Sequence, residues 1–258
     1  MLTKTNPRSI YGLSPMYRRV LIALGAASTA VGAFIAIPLP FSPVPIVLQN
    51  FFILLIALVL GPRMGTASVA LYLLLGALGL PVFAGGKGGF AHFFGPTGGY
   101  LVGFLLAAWI TGVLAAAGEG QQGRKPHKAP EGLSERPQER GQQQGQEPLQ
   151  AAHRFPEERQ EQEPLQEVGV TPERHPEVKA RKIKVRFQDA AAAAAGALAV
   201  YLLGVPWLAY KLGFNWEKAL VVGFLPFIPG DVLKAAAAAA IAPEARKLLL
   251  KEFHPDDR

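Results

Sequence analysis

The sequence predicts an all-α integral membrane protein with six transmembrane helices, both termini in the cytoplasm, and a disordered cytoplasmic loop between the fourth and fifth helices. Half of the 258 residues are hydrophobic and the mean hydropathy is +0.22. The charged residues are gathered in a few places and leave long uncharged runs between them. Because a helix of about 17 to 25 apolar residues crosses a bilayer, these runs predict membrane spans.

Six apolar runs qualify as spans, and they occupy residues 20–37, 46–60, 65–80, 96–117, 188–203 and 216–242. The second and third runs are short, and only the sequence GPRM separates them, which predicts a helical hairpin. In the sixth run, Pro229 and Gly230 predict that the last helix begins there and that 216–227 forms a separate short helix.

Basic residues orient these spans, because short loops rich in lysine and arginine stay in the cytoplasm. With six spans, most of the basic residues that flank them fall on one side: Lys4, Arg8, Arg18, Arg19, Arg63, Arg246, Lys247 and Lys251. The opposite loops, at 38–45, 81–95 and 204–215, contain only two lysines and no arginine, namely Lys87 and Lys211. Both termini are therefore expected in the cytoplasm.

The chain divides into residues 1–117 with helices one to four, a polar and charged insertion at 118–187, and residues 188–258 with helices five and six. The insertion consists mainly of Gln, Glu, Pro, Arg and Gly, which bury too little apolar surface to offset their ordering entropy. Its 12 acidic and 13 basic residues nearly balance. The pI near 9.7 therefore reflects basic residues at the membrane boundary, which contact lipid, and does not indicate a nucleic-acid partner.

Two charged residues interrupt the last apolar run, and they are the first candidates for a ligand site. Asp231 and Lys234 lie three positions apart in ALVVGFLPFIPGDVLKAAAAAAIA, so one helix face presents both. A charged side chain at membrane depth costs about 2.5 to 3.5 kcal/mol on insertion scales and usually persists for function. The alternative is an intrahelical ion pair that binds nothing.

Other polar side chains are weaker candidates. Gln49 lies near a span terminus, where it either reaches the site or bonds a neighbouring helix. The stretches GGKGG and GPTGGY lie on the same outer side, and Tyr100 is expected to offer an aromatic surface with a hydroxyl group. Lys87 either meets an anionic ligand or snorkels, and snorkelling is the favoured alternative. His92 has no second histidine or carboxylate nearby in the sequence that would indicate a metal site. Asp189 is expected to lie at the start of the fifth span, where its negative charge would stabilise the helix N-terminus.

Several stretches together resemble the BioY family, namely LGAASTAVGAFIAIPLPFSPVPIVLQNFFILL, GPRMGTASVALYLLLGALGLPVFAGGKGG, GPTGGYLVGF and LPFIPGDVLKA. The resemblance covers nearly everything outside the insertion, in the expected order. The members of the BioY family are biotin-specific substrate-binding subunits, or S components, of energy-coupling factor (ECF) transporters. The loop between the fourth and fifth spans is usually short in that family, so the insertion is a departure.

The resemblance implies that Asp231 and Lys234 are the ligand-binding residues of the PGDxxK motif. Biotin has a ureido ring with two N–H donors and a carbonyl acceptor, a thioether ring, and an apolar tail with a carboxylate. Asp231 is expected to accept from the ureido N–H groups, while Lys234 donates to the ureido carbonyl or pairs with the carboxylate. The sequence leaves that choice open.

The resemblance also implies partners: a transmembrane coupling (T) subunit that carries two ATPase subunits. No ATP-binding motif is present in the chain, so energy is expected to come from these subunits. Ala23, Ala27 and Ala30 lie at helical spacing on the first span and form a small-residue face suited to close helix contact. The alternative is that these alanines pack inside the bundle.

Two other functions would make different demands on the sequence from a binding subunit. An ion-gradient-driven secondary transporter of another small carboxylate would use Asp231 as a relay and predicts internal repeats, which the sequence lacks. An intramembrane enzyme would need a catalytic cluster, whereas the apolar spans supply mainly one acid and one amine. The expectation is therefore a protein that is not an enzyme and has neither a metal nor a cofactor.

Overall fold

A computed structural model describes residues 14–122 and 176–253, and its side chains are described for 14–118 and 187–251. Six α-helices follow one another: α1 Pro15–Phe34, α2 Gln49–Ala77, α3 Gly98–Gln122, α4 Pro176–Leu212, α5 Trp216–Gly223 and α6 Ile228–Phe253. Short 3-10 helices cover Phe90–Phe94 and Leu225–Phe227. Two strands, β1 Ala36–Leu39 and β2 Ser42–Val47, connect α1 to α2.

Within the described residues, four segments are long and apolar enough to cross a membrane: Gln49–Ala77, Gly98–Gly118, Phe187–Leu212 and Trp216–Lys251. The last of them combines α5, the second 3-10 helix and most of α6. The predicted first span forms α1, which is 20 residues long but is not among those four. The mostly helical, membrane-type architecture is thus confirmed, while the number of crossings stays a prediction.

The predicted helical hairpin is confirmed within α2. Gly61 has φ 75° and ψ −177°, a conformation outside the helical region, and Pro62 follows it. Gly25 of α1 packs against both Ile56 and Ser68, which lie on opposite sides of Gly61. In a straight helix those two residues would be about 18 Å apart at a rise of 1.5 Å per residue. The two halves of α2 therefore fold back on each other.

The expected loop at 38–45 is instead an antiparallel strand pair, so the all-α prediction was wrong at this point. Ala36 pairs with Val47 and Leu39 with Ser42, with an irregularity between them. The sequence IPLPFSPVPIV contains four prolines, each of which lacks an N–H donor and restricts the residue before it to extended backbone. These residues end α1 at Phe34 and favour extended backbone.

The ends of α3 and α4 also differ from the predicted boundaries. The predicted loop at 204–215 is helical as far as Leu212, because α4 continues through Gly204 and Pro206. Residues 118–122 and 176–187, assigned to a disordered insertion, are helical. The rest of the predicted insertion, 123–175, lies outside the described residues.

The predicted break before the last helix is confirmed. Asn215 caps α5, and its side-chain oxygen accepts a hydrogen bond from the backbone N–H of Lys218 at 2.9 Å. After Leu225–Phe227, the helix α6 begins at Ile228, directly before Pro229 and Gly230. Asp231 therefore lies in the first turn of α6.

Buried side chains form two clusters. One joins Tyr72, Phe83, Tyr100, Leu208 and Phe227, which come from α2, α3, α4 and the connecting segments around them. The second joins residues near the turn of α2 to α1, α4 and α6: Leu21, Leu60, Met64, Ala192 and Ala242. The loops at 81–95 and the strand pair belong to the first cluster, and that is the end where the polar candidates gather.

A buried ion pair fastens α6 beside the α2 turn. Arg246 donates to Asp189 at 3.0 Å and to the carbonyl oxygen of Leu58 at 2.6 and 2.8 Å. Leu58 needs this donor, because the residue four positions later is Pro62, which has no N–H. Asp189 was expected at a helix N-terminus, and this was wrong: it lies inside α4 and is only 2% exposed.

We expect Arg246→Met to destabilise the protein strongly, by about 3 to 5 kcal/mol, because the Asp189 carboxylate would be left buried and unpaired. The double variant Arg246→Met/Asp189→Asn should recover part of this loss. Thermal unfolding of the purified protein in detergent measures both effects. Lys247→Met is the matched control, since Lys247 is 60% exposed. Equal melting temperatures for Arg246→Met and this control would contradict the structural role of the ion pair.

Candidate functional site

Asp231 lies at the centre of a buried polar network where three helices meet. It is 5% exposed, and its Oδ1 accepts from Lys234 Nζ at 2.9 Å. Tyr201 of α4 donates its hydroxyl to Oδ2 in a short hydrogen bond. Asn50 of α2 donates its amide to the same carboxylate at 3.3 and 3.5 Å. The predicted Asp231–Lys234 pair thus exists and is held by side chains from two other helices.

Asn50 and Tyr201 are site residues that were not predicted from the sequence. Asn50 is separated from Asp231 by 181 positions and Tyr201 by 30. Tyr201 has only apolar neighbours in the sequence, and Asn50 directly follows Gln49 at the start of a span, so the role of each depends on which helix it faces. One signal was available, since a buried tyrosine or asparagine in a membrane helix needs a hydrogen-bond partner.

Tyr100, a predicted site residue, lies beside this network and presents its ring to it, because its hydroxyl is engaged elsewhere. The side chain is 5% exposed, and its hydroxyl donates to the carbonyl oxygen of Gly223 at 2.8 Å. Its ring packs edge-on against Tyr201 with centroids 6.2 Å apart. A Cβ at Gly204 would stand 2.4 Å from the Tyr100 ring, so only glycine permits this close approach.

Two adjoining cavities lie at this end of the protein. The small cavity, about 40 Å³, is bounded by Asp231, Lys234, Asn50 and Tyr201 on its polar side. The large cavity, about 310 Å³, is lined by Gln49, Lys87, His92 and Thr97 as its polar residues. Their apolar walls overlap, since both include Val44, Pro45, Val47, Tyr100 and Phe104.

Lys87 reaches the large cavity from the glycine-rich loop. Phe83 and Lys87 form an isolated antiparallel bridge, and Gly85 and Gly86 turn the chain between them with φ 74° and 70°. Residues other than glycine rarely adopt this left-handed backbone conformation. Lys87 is exposed and also lines the large cavity, so both snorkelling and contact with an anionic ligand stay open for it.

His92 is the second titratable group at the large cavity. Its ring stacks on Phe83 at 5.3 Å between centroids, and Nε2 lies 3.4 Å from Thr97 Oγ1. Burial, and then the positive charge of Lys87, lower the pKa of His92 below its ordinary value. The imidazole is therefore largely neutral near pH 7, and the positive charge among the residues lining this cavity belongs to Lys87.

Gln49 reaches the candidate site, which was one of the two alternatives for it. It begins α2, is 2% exposed and lines the large cavity. Its side chain also lies beside the Tyr72 hydroxyl in the second half of α2, so the other alternative, contact with a neighbouring helix, applies to it as well. Its Nε2 has no acceptor at full hydrogen-bond geometry within the described residues, so an acceptor group on a ligand would complete its hydrogen bonding.

Taken together, the two cavities can hold a small molecule that is partly apolar and partly polar. The small cavity contains one acid paired with one amine, while the large cavity contains an ammonium group and no acid. The shared walls are aliphatic and aromatic. Across residues 14–118 and 187–251, no group of three or more His, Cys, Asp or Glu side chains is arranged to hold a metal ion.

The predicted small-residue face of α1 is partly on the surface. Ala23 and Ala27 are exposed and Ala30 is half-buried, with the exposed Val31 beside it. The neighbouring Ala26 and Ala33 pack inside the protein. Ala23 and Ala27 are thus accessible to another helix.

Comparison with known proteins agrees with this architecture. A family model described as the BioY family matches residues 5–131 and 168–251. The "Probable biotin transporter BioY" of Pyrococcus horikoshii is 36% identical over 86% of this chain and 91% of its own length. The "Biotin transporter BioY" of Rhizobium etli is 34% identical over 86% of this chain and 89% of its own.

A solved structure shows the same fold. The crystal structure of "the S-component for biotin from an ECF-type ABC transporter" aligns with a TM-score of 0.62 and 24% identity, over 91% of this chain and 95% of its own. The residues that the family model matches include every described helix that contributes to the two cavities. The chain therefore belongs to the BioY family.

Proposed function

We propose that this protein binds biotin and takes it up across the cytoplasmic membrane as the substrate-binding subunit of an ECF-type transporter. The observation that carries the proposal is the buried Asp231–Lys234 pair, which faces a cavity in a member of the BioY family. Relatives matching over most of their length are named biotin transporters. No catalytic step is part of this role, and no cofactor is required.

The chemistry of biotin matches the cavities. Its fused ring system is mainly apolar and suits the walls formed by Val44, Tyr100 and Phe104. Its ureido group needs donors and acceptors, and the small cavity offers both in the side chains of Lys234, Asp231 and Asn50. Its carboxylate needs a cation, and either Lys87 or Lys234 can pair with it.

A six-span arrangement with both termini in the cytoplasm accounts best for the charge distribution. The α2 turn with Arg63, the start of α1 with Arg18 and Arg19, and Arg246 of α6 belong to one end of the protein, because Leu21, Leu60 and Ala242 share one buried cluster. The binding cavities are formed by residues of the other cluster. The positive-inside rule then orients the basic end toward the cytoplasm and the cavities toward the outside.

Active uptake requires an energy source, for which we propose a coupling subunit and two ATPases. The face formed by Ala23, Ala27 and Ala30 is the docking surface in this proposal. Small residues allow helix backbones to approach closely in lipid, where contact area rather than hydrophobic burial drives association. A secondary transporter that uses Asp231 as a relay is less favoured, since three donors already engage this carboxylate.

We expect Asp231→Asn and Lys234→Met each to weaken biotin binding by roughly 10- to 100-fold or more. A hydrogen bond to a charged group contributes about 1.5 to 3 kcal/mol, and 1.4 kcal/mol is tenfold in affinity. Calorimetry with biotin on the purified protein in detergent measures this loss. The double variant Asp231→Asn/Lys234→Met is also needed, because each single change leaves a buried charge unpaired.

A matched control exists on the same helix. Glu244 and Lys247 also form an i, i+3 ion pair, at 2.7 Å, but their side chains are about 60% exposed. The variant Glu244→Gln/Lys247→Met should therefore bind biotin like the parent. If the folded Asp231/Lys234 double variant bound biotin equally well, the buried pair would be structural and the site assignment wrong.

For the docking surface, Ala27→Trp should block assembly with the coupling and ATPase subunits and leave biotin binding by the isolated protein intact. The added bulk keeps helices apart without reaching either cavity. Copurification from membranes that contain all subunits measures assembly. Leu114→Trp on α3 is the control, since Leu114 is also exposed, at 45%, and lines neither cavity. Normal copurification of Ala27→Trp would place docking elsewhere.

A further inference from the structure

We infer that Asn50 is a specificity-determining residue whose Oδ1 accepts a hydrogen bond from a ligand N–H group in the small cavity. This inference rests on the proposed function and deepens it, because it assigns one of the ureido N–H groups of biotin to a particular acceptor. Asn50 lies in the first turn of α2 and lines the small cavity with Asp231, Lys234 and Tyr201.

Asp231 fixes the orientation of the Asn50 amide. A carboxylate accepts hydrogen bonds and, when ionised, donates none, so the amide must turn its NH₂ group toward Asp231. The distances from Asn50 Nδ2 to the two carboxylate oxygens are 3.3 and 3.5 Å. The amide oxygen therefore points away from the carboxylate.

That oxygen is a buried acceptor in need of a donor. Oδ1 of Asn50 is inaccessible to solvent and has no hydrogen-bond partner within the part of the chain whose side chains are described. An unpaired buried acceptor carries a desolvation penalty, which a donor group on a ligand would remove. Since Asp231 prevents the amide from flipping, the acceptor is preorganised before the ligand arrives.

The occupancy of Asp231 favours Asn50 as the acceptor. Lys234 Nζ, the Tyr201 hydroxyl and Asn50 Nδ2 already donate to the Asp231 carboxylate, which has about four lone-pair sites. Lys234 uses one of its three N–H groups on Asp231 and keeps others for an acceptor. A cyclic urea carries an N–H beside a C=O, which matches Asn50 Oδ1 as acceptor and Lys234 as donor.

The size and charge of the small cavity agree with this assignment. Its volume of about 40 Å³ admits the edge of a ring and not the whole ligand. Its acid and its amine cancel in charge, which suits a neutral urea better than a carboxylate. The rest of the ligand would then occupy the large cavity, where Lys87 supplies a positive charge.

A cycle that changes both the protein and the ligand tests the assignment. The protein is the full chain, either parent or Asn50→Leu, and the ligands are biotin and its two cyclic-carbamate analogues, in each of which an oxygen replaces one ureido N–H. For the parent, we expect one of the two isomers to bind at least about tenfold more weakly than biotin, because it offers Asn50 no donor. For Asn50→Leu, biotin should lose a similar factor, and that isomer should then bind no more weakly than biotin.

Biotin methyl ester is the control ligand, since it changes only the far end of the molecule. Asn50→Leu should weaken the ester and biotin by the same factor, which shows that the coupling is specific to the ureido edge. If Asn50→Leu does not fold, Asn50→Ser replaces it, because serine keeps a donor near Asp231 but removes the amide oxygen.

The outcomes separate the two proposals. Failure of the parent to bind biotin would overturn the proposed function, and this inference with it. Tight biotin binding by the parent with equal losses for both carbamates in parent and variant would overturn the role of Asn50 alone. Coupling of Asn50→Leu with one carbamate isomer, and none with the methyl ester, would support it.

Discussion

The candidate site depends on the hydrogen bonds that the Asp231 carboxylate accepts. It lies in the first turn of α6 and accepts hydrogen bonds from Lys234 on the same helix, Asn50 of α2 and Tyr201 of α4. A charge in a medium of low dielectric constant is tolerated only when it is paired and its lone pairs are used. The same requirement that stabilises the carboxylate thus brings three helices together around the small cavity.

The other end of α6 repeats this arrangement with the charges exchanged. There α6 supplies the cation, Arg246, and α4 and α2 supply Asp189 and the Leu58 carbonyl. Both ends of α6 are therefore fixed to the same two helices by polar contacts. Any movement of α6 relative to α2 and α4 would break buried charge contacts, so these three helices are expected to move as one body during a transport cycle.

Much of the helical layout could be predicted from the sequence, because apolar length and glycine or proline punctuation determine it locally. The hairpin at Gly61 and the start of α6 before Asp231 are such cases. The strand pair at Ala36–Leu39 and Ser42–Val47 was missed, since a proline-rich connection between spans has no hydrophobic period. The continuation of α4 past Pro206 was missed because helix packing outweighs the local cost of proline.

The candidate site was predictable only in part. Asp231 and Lys234 stand out because they are charged in an apolar run, and their spacing places them on one face. The roles of Asn50 and Tyr201, and the pairing of Asp189 with Arg246, depend on which helices are neighbours. A single sequence does not show which helices pack together. Predictions about residues 123–175 lie outside the part of the chain that the structure describes.

Gln49 and Asn50 are consecutive residues in the first turn of α2, yet they line different cavities. Successive positions on an α-helix differ by about 100° in direction, so this one turn acts as the partition between the two spaces. A rigid rotation of the helix about its axis would withdraw one amide from its cavity while advancing the other. The two amides are therefore coupled through one helical turn. A ligand of the wrong length would form a hydrogen bond with one amide and lose the hydrogen bond with the other.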